Sequence, residues 1–389
     1  MDILLLSRGF FPFYRAVVQG LCDRGISVRM HCALTDNREK GQIADTPYIL
    51  LPHVGGFRSE ENIRLLIDYL RREQIDLVLN PNIQIFDLEK LIRQTREVLP
   101  GMRFIDLIHS CPDFIVRNKR TELREMTLRQ VRTPKTAFQY LFPSLYLALL
   151  KQSVKRRAMK AYALFDKTVV LTPRYAEEYR KFYGLPEEEK KVTAIPNPKI
   201  VGQPHVPVTE KEKTILFVGR LSREKALYRL FAVWKQLYRE LPDWQLTIVG
   251  DGAERERYEQ TVRTEQLERV SFLGEQPAIP YIDRAAILCL VSNFEGLPTV
   301  FTEAMTLGCV PVGFDSFSGI HEMIDHAENG IIVPAFDTAQ YAAELKRLAT
   351  DAPFRERLAR GAMQKSERFN NGLVVDLWEK LFNEISVLH

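Results

Sequence analysis

The chain has 389 residues and only five cysteines, Cys22, Cys32, Cys111, Cys289 and Cys309, with no Cys-x-x-Cys pair among them. Scattered and odd in number, they argue against a disulfide framework and for reduced thiols in a cytoplasm. No Cys/His cluster has the spacing of zinc ligands, so no metal site is expected. Long hydrophobic runs are missing too. The longest, residues 138–150, is 13 residues broken by Gln139, Pro143 and Ser144, too short to span a bilayer. The N-terminus, Met1-Asp2-Ile3-Leu4-Leu5-Leu6, has an acid where a signal peptide carries positive charge, and it reads as a buried first strand. Low-complexity segments and internal repeats are absent. Gly250-Asp251-Gly252 follows a strand-like run, but Arg255 stands where a dinucleotide fingerprint has its third glycine, which argues against a nicotinamide enzyme.

What is present describes a globular protein large enough for two domains, with 46% hydrophobic and 27% charged residues. The net charge is only +4, but residues 117–160 hold 12 Lys/Arg against Glu122 and Glu125, a local net of +10 that leaves about −6 for the rest. The cations of this segment flank an apolar, aromatic centre of Phe138, Tyr140, Leu141, Phe142, Leu145, Tyr146 and Leu147. Such a segment suits peripheral contact with an anionic membrane or a lipid-linked pyrophosphate. It is equally a helix that buries its apolar centre and solvates its cations. A near-neutral total and the lack of a nucleic-acid motif argue against nucleic acid as a partner.

Apolar strand-like runs alternate with amphipathic helical stretches, the pattern of parallel α/β sheets. In the first half the strand candidates are 3–6, 27–33, 77–79, 103–108 and 168–171, with helices at 13–24 and 59–73. The pattern breaks at Ile195-Pro196-Asn197-Pro198 and stays irregular to 208, followed by a charged run at 210–213, the best linker candidate. A second series runs through 214–219, 246–249, 270–273, 286–291, 310–313 and 331–333. Residues 373–385 form an amphipathic helix with Leu377, Trp378, Leu381 and Ile385 at helical spacing.

The most informative run is Ser292-Asn293-Phe294-Glu295-Gly296-Leu297-Pro298-Thr299, continuing through Glu303 to Gly308. A strand at 285–291 feeds a Gly-Pro turn, and Thr299 is the expected N-cap of a short helix. A helix N-terminus offers unpaired N–H groups and partial positive charge to a phosphate. One carboxylate can accept from both hydroxyls of a ribose, and Gly296 lets backbone approach a ligand closely. The spacing fits a nucleotide with a sugar at its far end.

Glu295-x7-Glu303 in this setting resembles the signature of the retaining GT-B glycosyltransferases of family four, the glycosyl transferases of group 1. The resemblance implies two facing Rossmann-like domains with a cleft between them: an acceptor domain over 1–200, completed by a crossover helix at 371–389, and a nucleotide-sugar domain over 201–370. Gly219-Arg220-Leu221-Ser222-Arg223-Glu224-Lys225 is similar to the family's diphosphate-binding motif, although Ala226 replaces a common glycine. Arg220 and Lys225 are therefore expected to hold the diphosphate as fixed cations. No Asp-x-Asp occurs in the chain, which disfavours the metal-dependent site of the other glycosyltransferase fold. The expected site needs no metal and no cofactor beyond the nucleotide-sugar.

By the same resemblance Glu303 holds the ribose, while Glu295, Gly296, Leu297, Pro298 and Thr299 hold the donor sugar, with Gly219 beside the phosphates. His109, at the end of the strand in Phe104-Ile105-Asp106-Leu107-Ile108-His109, is similar to the family histidine that approaches donor sugar and acceptor, though Ser110 follows where Asp is common; a structural histidine explains it as well. Gly9 sits in a loop that partly matches a glycine-rich phosphate loop, or is an ordinary tight turn. Residues 314–322 resemble a segment beside the sugar pocket. The implied activity is a hexosyltransferase that moves a sugar, foremost from a UDP-sugar, to a hydroxyl of a cell-surface glycan or glycolipid with the anomeric configuration kept. The leaving phosphate oxygen would take the acceptor proton, at the inner face of the plasma membrane. A nucleotide-sugar 2-epimerase and a non-catalytic sugar-nucleotide-binding partner protein are the alternatives.

Overall fold

A computed structural model describes residues 1–6, 12–34, 46–52, 57, 59–81, 88–124, 126 and 128–385. These divide into two compact units, one of Met1–Pro198 with Asn371–His389 and one of Lys199–Asn370. Residues 195–211 contain neither helix nor strand.

The first unit holds a seven-stranded parallel sheet: β1 (Asp2–Leu6), β2 (Arg29–Leu34), β3 (Tyr48–Leu50), β4 (Leu77–Asn80), β5 (Arg103–Ile108), β6 (Lys167–Val170) and β7 (Val192–Ala194), in the order β3-β2-β1-β4-β5-β6-β7. Both faces are covered, so the strands read as apolar runs rather than alternations. Ile3, Leu5, Leu77, Leu79, Ile105 and Leu107 pack with residues of the helices Pro12–Asp23 and Asn371–Glu384. Leu4, Leu6, Val78 and Phe104 pack with those of Glu60–Arg72 and Glu89–Val98. The strands β3 and β7, three residues each at the two edges of the sheet, are absent from the sequence reading. Val374, Val375, Trp378, Leu381 and Phe382 of the terminal helix are buried, whereas Leu377 is 40% exposed. The stripe is centred on Trp378, and Leu377 lies at its edge rather than within it.

The second unit holds a six-stranded parallel sheet: β8 (Glu212–Val218), β9 (Gln245–Val249), β10 (Val270–Phe272), β11 (Ala285–Leu290), β12 (Val310–Phe314) and β13 (Ile331–Val333), in the order β10-β9-β8-β11-β12-β13. Every residue of β11 is buried. The ends of β8 and β9 meet backbone to backbone. Gly219 N–H donates to the Val249 carbonyl at 3.0 Å and Leu221 N–H to the Asp251 carbonyl at 2.8 Å. This contact explains the Gly250-Asp251-Gly252 run that is not a dinucleotide fingerprint. A Cβ at Gly250, where φ is +134°, would lie 2.0 Å from the Gly219 carbonyl oxygen, and one at Gly252 would lie 2.4 Å from that of Leu221.

Gly250→Ala should therefore lose at least about 3 kcal/mol in urea denaturation, through both clash and backbone strain. Gly101→Ala, whose Cβ meets nothing within 4 Å, should stay within about 0.5 kcal/mol of wild type. Equal stability of the two variants would contradict the close approach.

Candidate functional site

In the second unit two loops leave the ends of neighbouring strands, 219–227 after β8 and 291–298 after β11. Asn293 joins them. Its N–H donates to the Glu224 carbonyl at 2.8 Å and its Nδ2 to the Arg223 carbonyl at 3.2 Å. Arg229 closes the joint, donating to the Val291 carbonyl at 3.1 Å and to Asn293 Oδ1 at 2.7 Å, with its guanidinium 4.2 Å from the Phe336 ring centroid. Neither Asn293 nor Arg229 is among the residues expected from the sequence. Their signal is faint: Asn293 stands two residues before Glu295, and Arg229 one helical turn beyond Lys225.

At this joint Lys225 Nζ donates to Glu295 Oε1 at 2.6 Å, with the two side chains 20% and 12% exposed. The structure thus brings together two residues that the sequence reading gives separate tasks. The Lys225 chain runs back toward Gly219, where φ is +155° and an added Cβ would be 3.8 Å from Lys225 Cε. Arg220 faces solvent and its Nη2 donates to Glu224 Oε1 at 2.9 Å, so the two cations hold different carboxylates. Burial raises the Glu224 carboxyl, but hydrogen bonds from Ser222 and its own backbone and the charge of Arg220 outweigh this, and it lies below its ordinary value. Ala226 has φ +49°, the left-handed region that favours glycine, which accounts for a glycine being common at this place.

Gly296, Leu297 and Pro298 are buried, and the helix Thr299–Thr306 follows. Its N-cap is Pro298, which makes no side-chain cap, and not Thr299; Thr299 is already the first helical residue, because Pro298 has the extended backbone (φ −66°, ψ 114°) that a cap position requires. Glu303 lies on the second turn, half-buried, and no cation or donor among the described residues pairs with its carboxylate. Burial alone pushes its pKa upward. Beside Arg220 a recess of about 330 Å³ is lined by Gly219, Gly250, Asp251, Glu275 and Gln276. Ser316 Oγ donates to the Ser292 carbonyl at 2.8 Å, tying the segment after β12 to the same loop, while His321 pairs with Asp315 at 2.8 Å.

In the first unit His109 follows β5, and its Nε2 is 2.6 Å from the Tyr14 hydroxyl. Tyr14 packs edge-on against both His109 and Trp378, with centroids 5.9 and 6.3 Å apart. Burial pushes the imidazole down to about 4, so it is neutral at physiological pH, and burial followed by the charge of Asp106 pushes the Tyr14 phenol well up. Asp106, three residues before His109, gives no signal in the sequence. It is 2% exposed, accepts from Asn80 Nδ2 at 2.6 Å, and its Oδ2 has no partner among the described residues. Burial raises it to about 7 against the lowering effect of Asn80. Gly9 lies outside the described residues. No group of three or more His, Cys, Asp or Glu side chains among the described residues is arranged to hold a metal ion.

The two shifts act on stability in opposite senses. His109, lowered from 6.5, stabilises the fold above its unfolded pKa and loses that contribution as pH falls toward about 4. Asp106, raised from 3.8, stabilises it below its unfolded pKa and loses that contribution as pH rises toward about 7. Asp106→Asn should match wild type in stability near about pH 4 and exceed it near about pH 8. A stability difference between the two proteins that does not change with pH would contradict the buried, protonated carboxyl.

Residues 203–365 match the family of glycosyl transferases group 1. An uncharacterized glycosyltransferase of Haemophilus influenzae is 28% identical over 216 residues, 55% of this chain and 60% of the relative. A Campylobacter jejuni alpha-1,4-N-acetyl-D-galactosaminyltransferase, named for a PP-undecaprenol-linked acceptor, is 29% identical over 178 residues, 45% of this chain and 49% of the relative. The matched stretch thus spans about half to three-fifths of these relatives. Anabaena HepE in complex with UDP-glucose superposes with a TM-score of 0.73 at 15% identity, over 99% of this chain and 100% of that one. The lipopolysaccharide outer core galactosyltransferase WaaB gives 0.69 at 18% identity, again over 99% and 100%. At such identities the likeness concerns the fold, which is GT-B: two Rossmann-like α/β units.

Proposed function

We propose that this chain is a retaining glycosyltransferase of family four, a hexosyltransferase that moves a sugar from a nucleoside-diphosphate sugar, foremost a UDP-sugar, to a hydroxyl of a cell-surface glycan or glycolipid. The observation that carries the reading is Lys225 held on Glu295 at 2.6 Å in the loop that leads into the helix of Glu303, a half-buried carboxylate with no partner among the described residues. The group 1 match over 203–365, the HepE complex with UDP-glucose and the lipid-linked acceptor named for the Campylobacter relative support it.

In this reading the donor diphosphate takes Lys225 from Glu295 and Arg220 from Glu224. Each cation exchanges a carboxylate for a phosphate oxygen, so neither is left bare. Glu295 then accepts hydrogen bonds from the donor sugar, together with the turn Gly296 to Thr299. Glu303 accepts from the ribose hydroxyls, which supply the donors it lacks. Gly219, with no Cβ, allows the phosphates to approach the backbone, and the recess beside it takes the nucleoside. Two fixed cations balance the leaving diphosphate, so the reaction runs without a metal. The leaving phosphate oxygen removes the acceptor proton, which dispenses with a carboxylate base. His109 contributes a neutral imidazole for a hydrogen bond to a sugar hydroxyl.

UDP should raise the melting temperature of the protein in the presence of EDTA, more than GDP or ADP does. No shift with any of the three nucleotides would contradict the site. Lys225→Ala should lower turnover by about 10²–10³-fold, since it removes a charge aimed at the leaving group; near-normal turnover would overturn the assignment. Product analysis by NMR should show the donor's anomeric configuration, and an inverted product would rule out the retaining class.

A further inference from the structure

The strongest feature outside the donor site is the corner between the helices Pro134–Leu141 and Pro143–Tyr162. Leu141, Phe142, Leu145 and Leu149 are 65%, 54%, 52% and 54% exposed there. Soluble surfaces rarely cluster large apolar side chains in this way without a partner. The corner is well built. Thr133 and Thr136 form a capping box at the start of the first helix, and Phe138 packs on Phe142 and Tyr146 with centroids 5.7 and 6.3 Å apart. The long helix is anchored by its far half, where Val154, Ala158 and Tyr162 are buried, while its first two turns present leucines to solvent. Leu145 and Leu149, four residues apart on the second helix, share one face, and Leu141 and Phe142 stand at the break just before it.

Charge identifies the occupant. Residues 126–160 contain eight Lys/Arg and no Asp or Glu. Arg129, Arg132 and Lys135 precede the apolar corner, and Arg156 continues beyond it, all exposed. A second copy of the chain would bring the same cations against themselves. An apolar tip ringed by cations matches an anionic bilayer, where leucines enter the acyl boundary and cations remain among headgroups. No helix among the described residues is long and apolar enough to cross a membrane.

We infer that this corner is a monotopic docking wedge for anionic phospholipid surfaces, with Leu141, Phe142, Leu145 and Leu149 inserting and the flanking cations holding the headgroups. The inference goes beyond the transferase reading and stands without it.

The test uses the full chain in flotation assays with vesicles of phosphatidylglycerol and phosphatidylcholine, and with vesicles of phosphatidylcholine alone. Wild type should float with the mixed vesicles, not with the neutral ones, and added salt should release it. Leu145→Ser/Leu149→Ser should weaken the association about tenfold or more, and Arg132→Glu/Lys135→Glu/Arg156→Glu should abolish it. Both variants should keep the wild-type melting temperature, because the changed side chains are exposed. Absence of binding, equal binding to neutral vesicles, or binding unaffected by either variant would overturn the proposal. So would a wild-type dimer in light scattering that Leu145→Ser/Leu149→Ser converts to monomer.

Discussion

The second unit is organised around one charge pair, Lys225 on Glu295, held where two strand-end loops meet. Removing one member of a buried pair costs up to about 3–5 kcal/mol, whereas the pair as a whole adds little to stability over an apolar substitute. Stability alone is therefore a weak reason for it. The surrounding structure serves to place it. Gly219 and Gly250 let the ends of β8 and β9 touch, Asn293 binds one loop to the other, and Arg229 fixes Asn293 through the helix that begins at Tyr228. A cation so placed is preorganised: it is already dehydrated in part and already opposed by an anion. A diphosphate can replace that anion without any charge having to be buried afresh.

The first unit handles its polar groups differently. Burial keeps the histidine after β5 neutral at physiological pH and raises the carboxyl within it to about 7, so that the carboxyl is protonated below neutrality. Neutral groups in an apolar setting can make directional hydrogen bonds without the desolvation penalty of an ion. Tyr14 and Trp378 supply that setting for His109, and Trp378 comes from the terminal helix, nearly the whole chain away in sequence. The packing of Asn371–Glu384 beside Pro12–Asp23 is thus part of what sets the state of His109.

Much of this is legible in the residues. Continuous apolar runs in β1, β5, β8 and β11 announce buried parallel strands, and the Glu295 to Glu303 run announces the turn and helix on which both carboxylates sit. What local pattern cannot show is pairing at a distance. Lys225 and Glu295 are 70 residues apart, and nothing in either neighbourhood reveals that they touch. The Arg229 to Asn293 clamp is hidden for the same reason. Asp106 hides within a strand because a lone acid in an apolar run gives no sign of its protonation. The cap expected at Thr299 falls one residue earlier, since Pro298 can itself take the extended cap backbone. Ala226 shows the reverse case, a residue whose departure from a common glycine becomes intelligible only with its positive φ.

Whether the charge pair is a binding device or only a brace is decided by UDP affinity, measured by isothermal titration for wild type, Lys225→Ala and Glu295→Gln. If the diphosphate takes Lys225 from Glu295, neutralising Glu295 removes a competitor. Glu295→Gln should then bind UDP at least as tightly as wild type, while Lys225→Ala binds about tenfold or more weakly. Weaker binding by the same factor in both variants would mean that the pair is only a structural support, and would contradict the exchange of carboxylate for phosphate.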